Sequence, residues 1–310
     1  MPFQGSQRIK KALTNVSVKY KNNEMIAGQF MKDMPVVKDA EKYYVYASEF
    51  RIPETLRANG SPSNQIKWEV STSSYVVDKH SLSDVITDDD RQNEEAPLSL
   101  DVDTTENLTD KILLRQEFEA AKLLFTTTTF SSNATLNTAT SWKYNTTTSA
   151  PIQNVLSATG AIIKAAGKMP NTGITGWDGF EALKENQNIY SRIQYVERAI
   201  LTKEILASLF DLDNFYVGTA IYDSAKEGDT ESTGFVWGSD CLIAYFNPSM
   251  GRKQVTAAIN IRSTQYGTPY ITKKWREEAV EGDMIEVTSK FKPKAVATAC
   301  AYLFKTVALS

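Results

Sequence analysis

The 310-residue chain has one histidine, His80, and two cysteines, Cys241 and Cys300. A Ser-His-Asp or Cys-His nucleophile would have to recruit that single imidazole. It sits in the polar stretch Asp78-Lys-His-Ser, where a solvated loop position is the expectation. One histidine and two distant thiols leave no spacing for an ordinary zinc site. Each cysteine lies in an apolar setting, Asp240-Cys-Leu-Ile-Ala and Thr298-Ala-Cys-Ala-Tyr. That favours buried free thiols over a disulfide and points to a reducing compartment. No run approaches the roughly 18 apolar residues that cross a bilayer. Met1–Lys11 is polar and basic and lacks the apolar stretch of a signal peptide. The expectation is a cytosolic product with no membrane partner. Formal net charge is −3, so the clustered basic excess with which proteins grip phosphates is missing.

Three patterns imitate chemistry without completing it. Asp88-Asp-Asp90 could offer oxygens to a hard cation, but consecutive carboxylates point different ways and no EF-hand spacing follows. A solvated acidic loop is expected there. Gly160 to Lys168 suggests a phosphate loop, yet Ile162 stands where that pattern needs glycine and Met169 where it needs a hydroxyl. A helix ending at Gly167 explains the stretch better. Glu117 and Glu119 are two apart and share no helix face, so they form no acid–base pair. The residues thus assign no catalytic group, cofactor or metal site. A cytosolic enzyme with an unfamiliar site is the least favoured class.

What is present is globular: 42% hydrophobic and 23% charged residues, enough for one large domain or two smaller ones. Met1 to Glu41 is weakly periodic, with basic residues at Arg8, Lys10, Lys11, Lys19 and Lys21. Its few apolar groups cannot offset the entropy of ordering it, so it stays mobile or lies on something else. Lys42-Tyr-Tyr-Val-Tyr-Ala is strand-like. The turn-rich Arg57-Ala-Asn-Gly-Ser-Pro-Ser-Asn64 follows, and Ile66-Lys-Trp-Glu-Val-Ser alternates with a period of two. These describe a hairpin with an extended loop. Tyr43, Tyr44, Tyr46, Phe50, Trp68 and Tyr75 give it more aromatic surface than a monomer leaves in water. With Arg57 they are the candidate subunit-contact residues.

Asp84–Glu95 reads as a loop or short helix. Thr104–Phe125 is the strongest helix, with Leu108, Ile112, Leu113, Phe118, Ala121 and Phe125 on the face to be buried. Arg115, Glu119 and Lys122 lie toward the other side, and Asp103 or Thr104 can cap it. Residues 126–149 form a Thr/Ser/Asn-rich connector. Helices are expected over 151–166, opened by a proline, and over 177–185 and 199–210. Strand patterns dominate after Phe215. The class is α+β with mostly antiparallel strands.

The order of these segments resembles the Hong Kong 97-like capsid fold of tailed double-stranded DNA bacteriophages. That fold has an N-terminal arm, an extended hairpin loop, a long spine helix, a mixed α/β region and closing strands. Stretches with the texture of phage capsid proteins are Phe50-Arg-Ile-Pro-Glu-Thr-Leu-Arg-Ala-Asn-Gly, Trp68 to Ser74-Tyr75, and Leu108-Thr-Asp-Lys-Ile-Leu-Leu-Arg-Gln-Glu-Phe-Glu-Ala-Ala. Met169-Pro-Asn171 and Glu204-Ile-Leu-Ala-Ser-Leu-Phe belong with them, and the resemblance spans nearly the whole chain.

It implies an arm at 1–41, an extended loop at 42–83 and a peripheral domain with spine helix at 84–149. A mainly axial domain at 150–248 and strands returning to the periphery at 249–310 complete the division. It also implies a major capsid protein that assembles with itself, as hexamers and pentamers, into an icosahedral head enclosing double-stranded DNA without reading its sequence. A separate scaffolding protein, a portal and a decoration protein would be its partners. It would assemble in the host cytoplasm and end in the virion. An encapsulin-like compartment with the same fold is the alternative.

Overall fold

The computed structural model describes residues 24–46, 50–67, 69–93, 99–143, 148–193, 201–226, 228–249, 254–265 and 268–308. Ala27–Phe30 (α1) is one helical turn, followed by Asp33–Val36 (β1). Ala40–Tyr46 (β2) and Val70–Val76 (β3) form an antiparallel hairpin. Asp78–Thr87 (β4) leads through Asp88–Gln92 (α2) to the 25-residue helix Leu100–Leu124 (α3). Next come Asn133–Thr135 (β5), Pro151–Ala166 (α4), Thr172–Gly176 (β6), Trp177–Glu185 (α5), Gln187–Ile193 (α6) and Lys203–Leu209 (α7). The rest is mainly strand: Asn214–Gly218 (β7), Ile221–Asp223 (β8), Thr233–Phe235 (β9) and Cys241–Ala244 (β10). Ala258–Ser263 (β11), Ile271–Glu277 (β12), Gly282–Ala295 (β13) and Ala301–Lys305 (β14) close the chain.

Two five-stranded sheets organise the chain. In the first, β4 runs antiparallel along one edge of β13, β12 and then β11 run along the other, and β1 lies parallel to β11. Residues of β13 alternate between faces; Ile285, Val287 and Phe291 point at α3, where Leu108 and Ile112 meet them. The second sheet has the order β5-β14-β10-β6-β7. Its β6 and β10 are buried throughout, and α4, α5 and α7 cover one side with Val155, Ile162, Leu183 and Leu206. Cys241 and Cys300 are buried and unpaired by disulfide, as expected, and burial pushes the Cys300 thiol up to about 11.

Between the sheets lies α3, and its buried stripe is only partly apolar: Leu108, Ile112, Gln116, Glu117, Ala120, Ala121 and Leu124. Glu117 is 2% exposed. Its Oε1 accepts from the Ile26 amide at 2.8 Å and from Trp237 Nε1 at 2.6 Å, and its Oε2 accepts from the Ala27 amide at 2.9 Å. A helix start leaves amides without partners, and this carboxylate supplies them for α1. Burial pushes Glu117 above the usual carboxylate range while those three donors pull it down. The neighbouring Gln116 accepts from Arg262 Nη2 at 2.8 Å. Arg262 also donates to Asp33 at 2.7 Å and Ser289 at 3.0 Å, and lies over the rings of Tyr270 and Phe291.

These contacts correct the first expectation. Residues 24–36 are strapped to their own subunit instead of lying elsewhere; residues 1–23 lie outside the described ones. Helix α3 starts at Leu100 with Ser99 before it and no side-chain cap, so neither Asp103 nor Thr104 caps it. Phe118 is half-buried at the stripe's margin, 5.3 Å from the Tyr222 ring, instead of in the core face. Asp84–Thr87 is strand, because β13 offers it a ladder. Asp88–Asp90 opens α2, so the stretch holds the short helix instead of the loop; a Thr87 capping box starts it, Arg276 grips Asp88 through two 2.6 Å bonds, and Asp89 and Asp90 stay exposed. Helix α7 begins at Lys203 behind Thr202; residues 199–200 lie outside the described ones. Helix α4 ends at Gly167 in the left-handed region, φ 65°, as the failed phosphate-loop pattern suggested.

His80 is also not a loop residue. It sits on β4 with its ring stacked 4.3 Å from Phe291 and Nε2 4.0 Å from Glu119. Burial holds it below the ordinary histidine value of 6.5, against the opposing pull of Glu119. As pH falls the unfolded chain takes up the proton first. The contribution of His80 to stability is therefore intact above that value and lost below it.

Two outcomes follow for the unassembled subunit in denaturant unfolding. Glu117→Ala orphans three buried donors and costs about 3 kcal/mol or more, whereas Phe118→Asp at the helix margin costs less. Acidification from about pH 7.5 to about pH 5 destabilises the wild type more than His80→Phe; parallel pH profiles would refute this assignment of the histidine.

Candidate assembly surface

Opposed residues of an antiparallel pair share a face, so the register of β2 and β3 sorts the hairpin's side chains. Tyr43 pairs with Ser73 and Glu41 with Tyr75; Tyr44 pairs with Thr72, Tyr46 with Val70 and Ala40 with Val76. The first set turns toward the subunit. Tyr75 is 9% exposed among Val36, Val77, Ile259 and Ile261, and its hydroxyl donates to the Lys38 carbonyl at 3.3 Å. Tyr43 packs on the same cluster with Lys294 Nζ 5.2 Å from its ring, and that ammonium donates to the Ser74 carbonyl. The second set faces outward. Tyr44 is 72% exposed and Val76 61%, and Tyr46 and Val70 extend the same apolar face.

The loop beyond β2 exposes apolar side chains as well. Phe50, Ile52, Leu56 and Ile66 are all exposed, Ile52 to 91%. Glu54 gives this loop its shape: its Oε1 accepts from the Leu56 amide, and its carbonyl accepts from Asn64 Nδ2, both at 2.8 Å. Phe50 leans on Gly167, where an added Cβ would come within 3.0 Å of the ring. That glycine therefore serves both the end of α4 and the passage of the loop. Burying a large apolar side chain is worth roughly 1.5–3 kcal/mol, so this surface holds a sizeable driving force for association.

Of the sequence-predicted contact residues, Tyr44 and Tyr46 share the outward face of the hairpin, and Phe50 and Arg57 stand exposed in the loop. Tyr75 and, in part, Tyr43 instead root the hairpin in its own subunit. Trp68 lies outside the described residues. Sequence reasoning missed Ile52, Leu56, Ile66, Val70 and Val76; the alternation Phe50-x-Ile52 was the signal available.

A different arrangement stands at the far end of the first sheet. Arg91 and Lys274 alternate with Asp101 and Asp283 in a closed ring of contacts at 2.7, 2.9, 2.8 and 3.4 Å. It ties the start of α3 to β12 and β13, and Lys274 with Arg91 holds the Asp101 carboxyl below its usual range. Among the described residues no group of three His, Cys, Asp or Glu side chains is placed to hold a metal ion. No described helix is long and apolar enough to cross a membrane.

No protein-family model matches the sequence. The major capsid protein of Burkholderia phage BcepMu is 25% identical over 304 residues, covering 96% of each chain. That of Pseudomonas phage JBD67 is 24% identical over 241 residues, 76% of this chain and 77% of its own. Among solved structures, a phage-related protein of Bordetella bronchiseptica superposes with a TM-score of 0.71 at 19% identity, covering 94% of this chain and 95% of that one. The capsid of cyanophage P-SCSP1u follows at a TM-score of 0.63 and 9% identity, covering 98% and 92%. The chain has the Hong Kong 97-like capsid fold. Its role is structural, that of a shell protein. In that fold α3 is the spine helix and the β2–β3 hairpin with residues 50–67 the extended loop. An encapsulin of Synechococcus elongatus shares the fold at a TM-score of 0.54 and 8% identity, covering 96% and 95%, so fold alone does not separate a genome shell from a cargo shell.

The two faces of the hairpin are expected to respond differently to charge. Tyr44→Asp combined with Leu56→Asp leaves subunit stability within about 0.5 kcal/mol, while Tyr75→Asp costs about 3 kcal/mol. Denaturant unfolding of the unassembled subunit checks both.

Proposed function

We propose that this chain is the major subunit of an icosahedral phage head, arranged in hexamers and pentamers around double-stranded DNA. The observation that carries the reading is the outward face of the extended loop. It is an apolar, aromatic surface that the described part of its own subunit does not cover, on a chain matched over 96% of its length by a phage major capsid protein. Contacts repeated around closed rings make a shell stable even when each is modest. Tyr44, Tyr46, Phe50 and Arg57 are contact residues in this reading, and Tyr43 and Tyr75 hold the hairpin at the angle that presents them. The net charge of −3 suits a wall that confines DNA without gripping it or reading its sequence. No catalytic role is assigned.

The division into domains follows the sheets in part, with β1 and most of β4 joining the first sheet and β5 the second. The first sheet with α3 is the peripheral body, 84–149 extended by strands from 249–310. The second, with α4 to α7, is the axial body, mainly 150–248; β14 runs in that second sheet. A scaffolding protein, a portal and a decoration protein are the further partners. An encapsulin-like compartment is the second reading, supported by the shared fold; neighbouring terminase and portal genes would decide against it.

Electron microscopy of the full chain co-expressed with its neighbouring genes should show closed shells. Deleting Thr55–Asn64 should leave a cooperatively folding subunit and no shells. A monodisperse monomer from the intact chain under those conditions would sink the proposal.

A further inference from the structure

The tip of the extended loop carries a chemically reactive pair. Asn59 is the only asparagine in the chain that glycine follows. Every other asparagine precedes a residue with a Cβ, which crowds the next backbone nitrogen. That nitrogen is the group placed to attack an asparagine side chain, since the two residues together close a five-membered ring. The fold leaves this pair loosely held. Both residues are exposed, in the turn that the Ser61 amide closes on the Ala58 carbonyl at 3.2 Å. Gly60 has φ 85°, which suits the third position of such a turn and favours glycine there. No atom lies within 4 Å of the point where a Cβ would stand on it. Among the described residues neither the Asn59 side chain nor the Gly60 amide has a hydrogen-bond partner. The peptide plane between them can swing until the Gly60 nitrogen faces Asn59 Cγ, and neither group gives up a hydrogen bond to do so.

Two other positions show what restraint looks like. Asn64, in the same loop, donates through Nδ2 to the Glu54 carbonyl at 2.8 Å, and Gln65 follows it. Asp178 also precedes a glycine, but Gly179 is buried in α5, where an added Cβ would collide with Thr175 Oγ1. Only at Asn59 do the right neighbour, exposure and open space coincide.

We propose that Asn59 is a site of spontaneous modification in the unassembled subunit, converting to aspartyl and isoaspartyl forms. Solvent base takes the Gly60 amide proton, and the nitrogen attacks Asn59 Cγ. The N–Cγ bond forms, the Cγ–Nδ2 bond breaks, and Nδ2 leaves as ammonia with a proton returned from solvent. The product is a cyclic imide, which one water molecule opens with no change of oxidation state. Opening at Cγ leaves an aspartate. Opening at the Asn59 backbone carbonyl leaves an isoaspartate, whose Cβ has become part of the backbone. Either product puts a carboxylate two residues from Arg57, and the second also lengthens the path of the loop by one atom. The loop proposed to meet other copies thus changes charge and shape as the free chain ages. The chemistry itself does not depend on the shell reading.

The test is mass spectrometry of the purified, unassembled full chain held in mildly alkaline buffer, with a free synthetic peptide of residues 58–67 beside it as a clock. Trypsin cuts after Arg57 and Lys67, so one peptide carries both Asn59 and Asn64. It should shift from amide to acid mass at Asn59 and split into two species of equal mass, while Asn64 keeps its amide. Asn59→Gln should abolish the shift at that position. Gly60→Ala should slow it several-fold, because the new methyl crowds the attacking nitrogen. Both positions lie in the exposed loop, and thermal melts matching the wild type show an intact subunit. A chain that keeps its amide while the free peptide converts would overturn the proposal. So would conversion at Asn64 first, a single product in place of the pair, or a Gly60→Ala chain that converts at the wild-type rate.

Discussion

Two adjacent polar side chains inside the spine helix carry the architecture. Gln116 and Glu117 occupy the centre of its buried stripe, where leucine would give more apolar contact. Neighbouring residues on a helix point about 100° apart, so the pair serves two directions at once. Gln116 reaches Arg262 and, through it, β1 and β13 of the first sheet. Glu117 reaches the α1 amides and the Trp237 indole, which packs against Phe30 and Phe125. Each group is costly to bury alone; together their bonds are met only when residues 24–36, the helix, the first sheet and the segment carrying Trp237 are all in place. The pair specifies the arrangement more than it adds to its strength.

Because the body is fixed in this way, the hairpin can be left under-covered. A two-stranded hairpin alone is marginal in water. Here it is held at its root by Tyr75 and Tyr43 against β1 and β11, strands that are themselves placed by Arg262. The same division into a root face and an outward face explains how a subunit can be both folded and incomplete. Its inner residues belong to the monomer, and its outer ones are those proposed to meet other copies.

Much of this was legible in the residues. Helices 151–166 and 177–185 fall where periodicity, Pro151 and Gly167 place them. The spine helix was found but its start was displaced, since Ser99 gives no side-chain bond to mark it. Strands β11 and β12 were not foreseen, for opposite reasons. Ile271–Glu277 is an edge strand exposed for nearly its whole length, so no burial alternation shows in its sequence. Ala258–Ser263 is buried throughout yet contains Asn260 and Arg262, whose partner Asp33 lies more than 200 residues away. His80 was misread for a similar reason: a polar residue looks solvated until its distant partner is known. The aromatic richness of the hairpin was plain, but which tyrosines face outward depends on which side meets the body, and no local pattern encodes that.

The Glu117 contact also bears on how the chain is made. Its two ends are not synthesised together: Ile26 precedes Glu117 by 91 residues, and Trp237 follows it by 120. A ribosome adding about 5–20 residues per second delivers the whole hairpin on the order of ten seconds before the indole that completes the lock exists. During that interval the apolar loop is in solution on a chain whose body cannot yet be closed. Competence to join other copies therefore arrives with the carboxy-terminal half of the protein, and polysome-bound chains lack the finished platform that a neighbour would need.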